Sequence, residues 1–331
     1  MDNEEYDVIR FLSTPVPGMQ PYRFGTPRID YKFIRRLSGI RFDIVHAHCP
    51  FVSGRLAKSI SVKQKIPLIA TFHSKYYEDF MKIFKSDFIS EKLVKKILNF
   101  YNAADMVWVP NSSTGKTLRE YGFIRDYHVI SNATDFRIPE NDQKQRLKRE
   151  GLELIKAKRN DFVFLFIGQH RWEKNVRMII DALHLLNQRG NQFKMIFAGE
   201  GYAKKEMMKL VRDYQLQKRV SFMGLISERE TLMKLYACAD LLVFPSVYDN
   251  QPLVVKEAAA FAVPSVLVEN SSSAEGIIDG VNGFIVRNQP ENLFNTLFEL
   301  MDNPVLIKNV GMNAREFLYI HWEEIVDSVY E

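Results

Sequence analysis

Ten short apolar runs, separated by longer amphipathic or polar stretches, restrict the folds open to this chain. They fall at 42–48, 67–73, 105–110 and 128–133, and again at 162–168, 194–199, 220–224, 241–246, 264–268 and 283–286. They are rich in Val, Ile and Phe. Runs of that length and content read as strands buried on both faces, as parallel sheets require. Between them, apolar residues recur three and four apart at 92–100, 176–186, 232–237 and 253–262, the spacing of a helix face. Strand–helix–strand repetition in both halves predicts an α/β chain of two doubly wound domains. The 331 residues suit two domains at about 150 residues each.

A polar, highly charged stretch at 137–160 separates the two groups of runs. It holds Pro139-Glu140-Asn141-Asp142-Gln143-Lys144 and Lys156-Ala157-Lys158-Arg159. Its composition predicts a linker, with a short amphipathic helix at 145–155 inside it. The expected organisation is a first domain over 1–137, a linker over 138–160, a second domain over 161–305 and a helical C-terminal segment over 306–331. Only the weak run 7–12 precedes residue 42, and Pro15, Pro17, Pro21 and Pro27 interrupt the residues after it. The first domain therefore reads as thin at its start.

Composition excludes several classes. Hydrophobic residues make up 46% and charged residues 26%, as in ordinary globular domains. Cys49 and Cys238 lie too far apart for a disulfide framework or zinc-ligand spacing, which favours a reducing compartment. No uncharged apolar run approaches the roughly 18 residues of a membrane span. The acidic start, Met1-Asp2-Asn3-Glu4-Glu5, is unlike a signal peptide. A cytoplasmic protein is expected. The net charge of +5 is uneven: residues 1–140 carry +6 and the rest −1. That asymmetry fits either a solvated surface or an anionic partner of the first half, such as a phospholipid surface.

The dinucleotide fingerprint G-x-G-x-x-G is absent, which argues against a nicotinamide enzyme. Gly168-Gln169-His170 and Gly199-Glu200-Gly201 each come after a predicted strand and precede a helix. Glycine there lets backbone approach a ligand, and the next helix start offers N–H groups to phosphate. Pro110-Asn111-Ser112-Ser113-Thr114-Gly115-Lys116-Thr117 imitates a phosphate-binding loop, but Pro110 stands where the first glycine belongs. Proline has no N–H to donate and a fixed φ. In Phe244-Pro245-Ser246-Val247-Tyr248-Asp249-Asn250-Gln251-Pro252-Leu253-Val254-Val255-Lys256-Glu257, an apolar strand runs through a polar loop into a helix. Pro252 suits the first helical position. Asp249 and Glu257 are eight residues apart and can face one cleft. The alternative is that Asp249 caps the helix and Glu257 lies on the surface. Glu257 sits among Val254, Val255, Ala258 and Ala259, where a carboxylate needs a polar partner.

This last segment resembles the E-x7-E region of the family 4 retaining glycosyltransferases, with Asp249 replacing the first glutamate and Glu257 matching the second. Further elements occur in the family's order. Phe42-Asp43-Ile44-Val45-His46-Ala47-His48 resembles its D-I-V-H-x-H strand, and Ala70-Thr71-Phe72-His73 its T-x-H strand end. Residues 168–175 resemble its G-R-…-E-K-[GN] loop, and Ala198-Gly199-Glu200-Gly201 its G-x-G turn. Ser273-Ala274-Glu275-Gly276 with Gly280-Val281-Asn282-Gly283-Phe284 resembles its E-…-G-x-N-G-F segment. The resemblance covers roughly residues 40–330. It implies the GT-B fold, two Rossmann-like domains facing a cleft, with the first domain incomplete because the family's opening strand and Gly-rich loop are missing. It also implies a terminal helix, at 316–330, that crosses back to the first domain and is anchored by Trp322.

The resemblance assigns roles position by position. Glu257 would hold the nucleotide ribose, and Asp249 would lie near the donor sugar hydroxyls. The backbone of Asn250, Gln251, Pro252, Leu253 and Val254 would line the sugar and diphosphate site. Lys174 would pair with the diphosphate and stabilise the leaving group, beside Gly168, Gly199 and Glu200. His73 would face the donor sugar. His46 and His48 share a strand face and read as packing and cleft lining. Gln169 replaces the family's arginine, and Arg171 is the candidate substitute.

The implied function is a hexosyltransferase that moves a sugar from a nucleoside diphosphate sugar, UDP-sugar by family weight, to a hydroxyl acceptor with retention. No cofactor, metal or nucleic acid is expected. Thr71-Phe72-His73-Ser74-Lys75-Tyr76-Tyr77-Glu78-Asp79-Phe80, with Lys82, Lys85, Lys92, Lys95 and Lys96 after it, joins aromatic to basic residues. It suits a membrane interface or a core-plus-surface helix, and it resembles members that glycosylate diacylglycerol. A lipid or glycan acceptor and a peripheral place on the inner membrane face are therefore expected. Three rivals remain: a nucleotide-sugar epimerase on the same fold, a catalytically silent nucleotide-sugar-binding subunit, and an NTPase dependent on Lys116.

Overall fold

The computed structural model describes residues 7–16, 23–158 and 161–330. The acidic start at 1–5, Pro17, Pro21 and Arg159 lie outside the described residues. The chain divides into two compact units, Met1–Ile130 and Ser131–Glu331.

In the first unit, β1 (Ser13–Pro15) and β2 (Arg23–Gly25) form an antiparallel pair. The weak run 7–12 is not a strand. β3 (Val45–Ala47), β4 (Leu68–Thr71), β5 (Met106–Val109) and β6 (His128–Val129) form a parallel sheet in that order. All four lie within the first four apolar runs. β4 is buried throughout, as a strand covered on both faces must be. The helix Asp87–Tyr101 covers the sheet with Val94, Ile97, Leu98, Phe100 and Tyr101, the three-and-four spacing read from the sequence.

The second unit holds a six-stranded parallel sheet. Its strands are β7 (Phe162–Ile167), β8 (Phe193–Ala198), β9 (Val220–Gly224), β10 (Leu241–Val243), β11 (Ser265–Val268) and β12 (Phe284–Val286). Their spatial order is β12-β11-β10-β7-β8-β9. Each coincides with a predicted run. The central strands are the most apolar, with Phe164, Phe166, Met195, Ile196 and Phe197 fully buried.

The stretch expected as a linker is largely helical. The helix Asn141–Leu154 packs on the helix Arg229–Cys238, with Leu147 and Gly151 buried. A Cβ on Gly151 would overlap the Lys234 carbonyl oxygen, so glycine permits this close approach. The high charge that suggested a linker lies on the outer face, where Arg146, Glu150, Glu230 and Lys234 form a cross-helix ion network.

The expected terminal helix is broken. The helices Pro304–Leu318 and Trp322–Tyr330 flank an extended segment. There Thr134 N–H donates to the Ile320 carbonyl at 3.0 Å, and Trp322 N–H donates to the Thr134 carbonyl at 3.2 Å. These cross-chain bonds take peptide groups that a continuous helix would use. Trp322 is held through its peptide; its side chain is exposed.

Candidate active site

The sheet order of the second unit fixes where a ligand can bind. From β7 the chain builds outward through β8 and β9, then returns to the other side of β7 with β10. Loops leaving the C-terminal ends of β7 and β10 therefore part, and the crevice between them is the usual ligand position in an open α/β sheet. Lys174 comes after β7 and Asp249 after β10. Lys174 Nζ donates to both carboxylate oxygens of Asp249, at 2.6 and 2.7 Å, and both side chains are largely buried. Ser246 Oγ donates to Asp249 Oδ2 at 2.6 Å, and Ser273 Oγ donates to the Asp249 carbonyl at 2.9 Å. The ammonium lies 5.3 Å from the centre of the Phe244 ring. Asn175, next to Lys174, is left-handed at φ 59°, and its amide donates to the Pro245 carbonyl and to Asn288 Oδ1. The two loops are thus joined twice within two residues.

Beyond the β10 loop begins the helix Leu253–Ala260. Pro252 stands at its N-cap, one residue earlier than expected, and no side chain caps the helix; Asp249 does not do so. Val255 N–H donates to the Pro252 carbonyl at 3.2 Å, so Leu253 and Val254 are the first-turn N–H groups without an intrahelical acceptor, and the helix dipole adds positive charge there. Glu257 is half-buried on this helix. The fully buried Tyr236 donates its hydroxyl to Glu257 Oε2 at 2.5 Å. Burial raises the Glu257 carboxyl above the usual range, opposed by the Tyr236 hydrogen bond, with Asp135 and Arg229 as its charged neighbours. Gln251 is committed elsewhere: its Oε1 accepts from Asn132 N–H at 2.6 Å, and its Nε2 donates to Ser131 Oγ at 3.1 Å. Its side chain braces the start of the second unit. Asn250, Pro252 and Val254 are half-buried and Leu253 is exposed.

The two glycine turns meet behind the Lys174 loop. Gly168 N–H donates to the Ala198 carbonyl at 3.0 Å, and His170 N–H to the Glu200 carbonyl at 3.0 Å. Gly199 adopts φ 133°, and a Cβ there would overlap the Gly168 carbonyl oxygen. Gly199→Ala is expected to destabilise the second unit by more than about 1 kcal/mol, read as a drop in melting temperature. Glu200 accepts from Lys204 at 2.5 Å. Arg171 donates to Glu173 at 3.3 Å and Gln169 at 3.4 Å, and lies over the Tyr202 ring, whose hydroxyl donates to Glu173. The candidate second cation is thus already paired with an acid.

Histidines form two neutral sites. In the first unit, His48 Nδ1 and His73 Nε2 are 3.0 Å apart, one donating to the other, and His46 Nε2 is 2.7 Å from Thr71 Oγ1. Burial, with neighbouring imidazoles second, lowers His46 and His73 to about 4. In the second unit, His170 is fully buried among Phe166, Phe197 and Phe222, and among the described residues neither ring nitrogen has a hydrogen-bond partner. Burial lowers it to about 4 as well. The unfolded chain binds protons on these groups near pH 6.5, and the folded chain only near 4. Stability is therefore expected to fall as pH drops from about 6.5 to 4. Melting curves across that window should show the decline, and His170→Leu should flatten it.

The imitation phosphate loop is a helix cap. Asn111 Oδ1 accepts from the N–H and hydroxyl of Thr114, at 2.9 and 2.6 Å, at the start of the helix Ser112–Glu120. That caps the turn which a phosphate would have to occupy.

Residues 152–317 match the family described as Glycosyl transferases group 1, and residues 1–137 match Glycosyltransferase Family 4. The chain belongs to the group 1 glycosyltransferases. Alpha-monoglucosyldiacylglycerol synthase of Acholeplasma laidlawii is 24% identical over 317 residues, covering 93% of this chain and 78% of that protein. The Streptococcus pneumoniae protein of the same name is 24% identical over 268 residues, covering 80% of this chain and 60% of its own length. The crystal structure of Anabaena Alr3699/HepE in complex with UDP and glucose has a TM-score of 0.75 at 19% identity, covering 90% of this chain and 80% of that one. Sucrose-phosphate synthase of Thermosynechococcus elongatus gives 0.72 at 19%, covering 91% and 75%. The fold is GT-B.

In this glycosyltransferase the structure brings Lys174 together with Asp249, and Glu257 with Tyr236; His73 lies in the other unit. Sequence reasoning missed Ser246 and Tyr236. Ser246 had a signal, since a serine three residues before an aspartate in a loop favours a local hydrogen bond. Tyr236 had none, because its contact crosses from one helix to another.

Proposed function

We propose that this glycosyltransferase moves a hexose from a UDP-sugar to a hydroxyl acceptor with retention at the anomeric carbon. The observation that carries the reading is the Lys174–Asp249 pair at the sheet's reversal point, beside an uncapped helix start and Glu257. A diphosphate needs a cation and N–H donors, a ribose needs a carboxylate acceptor, and a hexose needs an acceptor for its hydroxyls. In the proposed step, the bond from the sugar's anomeric carbon to the diphosphate oxygen breaks and a bond to the acceptor oxygen forms on the same face. The acceptor proton passes to the leaving phosphate. Lys174 and the helix N–H groups stabilise the charge that grows on the diphosphate.

Uridine as the base is supported by the UDP held in the Anabaena structure. A lipid or glycan acceptor is supported by the names of the two synthases and by the basic first half of the chain. We propose metal-independent transfer, in which Lys174 meets the charge of the diphosphate. Among the described residues no helix is long and apolar enough to cross a membrane. A peripheral place on the cytoplasmic membrane face is proposed.

Product analysis by NMR, with a UDP-sugar panel and with or without diacylglycerol vesicles, tests this reading. A new glycoside of unchanged anomeric configuration, formed only with acceptor, is expected. An inverted product overturns retention. A changed donor sugar without acceptor makes the protein an epimerase. Nucleotide binding with neither transfer nor hydrolysis makes it a silent subunit.

A further inference from the structure

The helices Tyr76–Phe84 and Asp87–Tyr101 form a hairpin in the first unit. Lys85, left-handed at φ 50°, ends the first helix, and Ser86 caps the second through its hydroxyl. The inner faces are apolar and buried, with Tyr76, Phe80, Val94 and Ile97 in the core. The corner is apolar too, yet uncovered: Ile83 is 51% exposed, Phe84 45%, Phe88 76% and Ile89 41%. Four large apolar side chains exposed within seven residues are a patch and not scattered surface residues. Lys82 and Lys85 lie at the end of the first helix and Lys92, Lys95 and Lys96 along the second, all exposed. The acids between residues 82 and 96 are Asp87, which accepts from the Tyr77 hydroxyl at 2.5 Å, and Glu91.

We propose that this hairpin corner is a membrane contact, in which Phe84 and Phe88 enter the interface of a bilayer and the lysines meet anionic headgroups. A flat apolar patch alone would suit any partner. Within residues 82–96 five lysines stand against two acids, with Glu78 and Asp79 a turn further back on the first helix; that local excess favours a negatively charged partner, and long lysine stems let the charge stay in water while the rings are buried. Attraction of this kind weakens with salt, because exposed charges are screened. The proposal gives the membrane association suggested above a specific surface, and it rests on that reading only in supposing that a membrane is the partner.

Sedimentation with vesicles of phosphatidylcholine, with and without phosphatidylglycerol, tests it. The full chain should bind the anionic vesicles at least tenfold more tightly than the neutral ones, and the difference should shrink as salt rises. Phe84→Ala with Phe88→Ala should lose at least tenfold of the anionic-vesicle binding and keep UDP affinity; because Phe84 also lies 6.4 Å from the core Phe80 ring, Phe88→Ala alone, at a ring 76% exposed, should weaken vesicle binding while keeping the wild-type melting temperature. Vesicle binding untouched by the double substitution overturns the proposal, as does equal binding to both vesicle types. A wild type that self-associates without vesicles, and a double variant that is monomeric, would assign the patch to a second copy of the chain and overturn it equally. The acceptor reading fails separately: a protein that needs the corner for vesicle binding but transfers no sugar to lipid keeps the membrane contact and loses the lipid acceptor.

Discussion

Lys174→Ala is expected to lower the turnover number for sugar transfer by about 10²–10³-fold, the range seen when one group that stabilises developing charge is removed. Lys174 is held by its bonds to Asp249 and by the Phe244 ring, so its charge is already in place and needs little rearrangement when a diphosphate enters. Removing it does two things. It deletes the cation that offsets charge on the leaving group, and it leaves the largely buried Asp249 carboxylate, which also accepts from Ser246, facing an anionic ligand without its cation. Like charges repel strongly at short range in a partly buried site, so the Michaelis constant for the donor should rise too. Asp249→Asn separates the two effects. It keeps the shape, lessens the repulsion and frees the ammonium, so its loss should be smaller and centred on the sugar. Turnover by Lys174→Ala at the wild-type rate would remove Lys174 from the mechanism.

Glu257→Ala is expected to weaken UDP binding by about 10–100-fold, because a hydrogen bond to a charged group contributes about 1.5–3 kcal/mol and each 1.4 kcal/mol is tenfold. The same change strands the Tyr236 hydroxyl in the core, which costs about 1–3 kcal/mol of stability. The alanine variant should therefore both bind poorly and melt early. Glu257→Gln keeps an acceptor for Tyr236, so it should melt near the wild type while still losing affinity. The ribose hydroxyls donate to the ionised carboxylate. Because burial raises the carboxyl's titration, UDP affinity should fall as pH drops toward that raised value. Tyr236→Phe removes the bond that opposes the rise, so its affinity loss should begin at a higher pH. Calorimetric titration across pH reads all three variants.

The parts of the fold and site that were legible in the sequence are those whose signals are local. Ten of the twelve strands among the described residues, those of the two parallel sheets, were readable from their apolar runs, most plainly where strands are buried on both faces, as in β4 and β7; the antiparallel pair β1–β2 left no such run and was missed. The helix at 253–260 was readable from its proline start and apolar spacing. The amphipathic helix expected at 145–155 lies at 141–154; its start is four residues earlier than expected because the charge on its outer face looks like a solvated tether, while Leu147 and Gly151 mark its buried face. The terminal helix was read as one because nothing local marks 319–321 as extended: that break is imposed by Thr134, nearly 200 residues away. In the site, residue types and positions were legible, but partners were not. Lys174 and Asp249 were each assigned a separate ligand, and their mutual ion pair depends on the reversal of strand order between β7 and β10. Gln251 had the right neighbourhood, yet its side chain is taken by Ser131 and Asn132.

The central claim is that the second unit holds a nucleoside diphosphate at Lys174 and Glu257. A thermal-shift panel with UDP, GDP and ADP, run on the wild type and on Glu257→Gln, addresses it directly. At about 100 times its dissociation constant, a ligand stabilises by about 2.7 kcal/mol, which should raise the melting temperature by about 5–10 °C for a unit of this size. That rise is predicted with UDP for the wild type, with a smaller one for Glu257→Gln at the same concentration and little with GDP or ADP. No shift with any nucleotide, or equal shifts in both proteins, would contradict it.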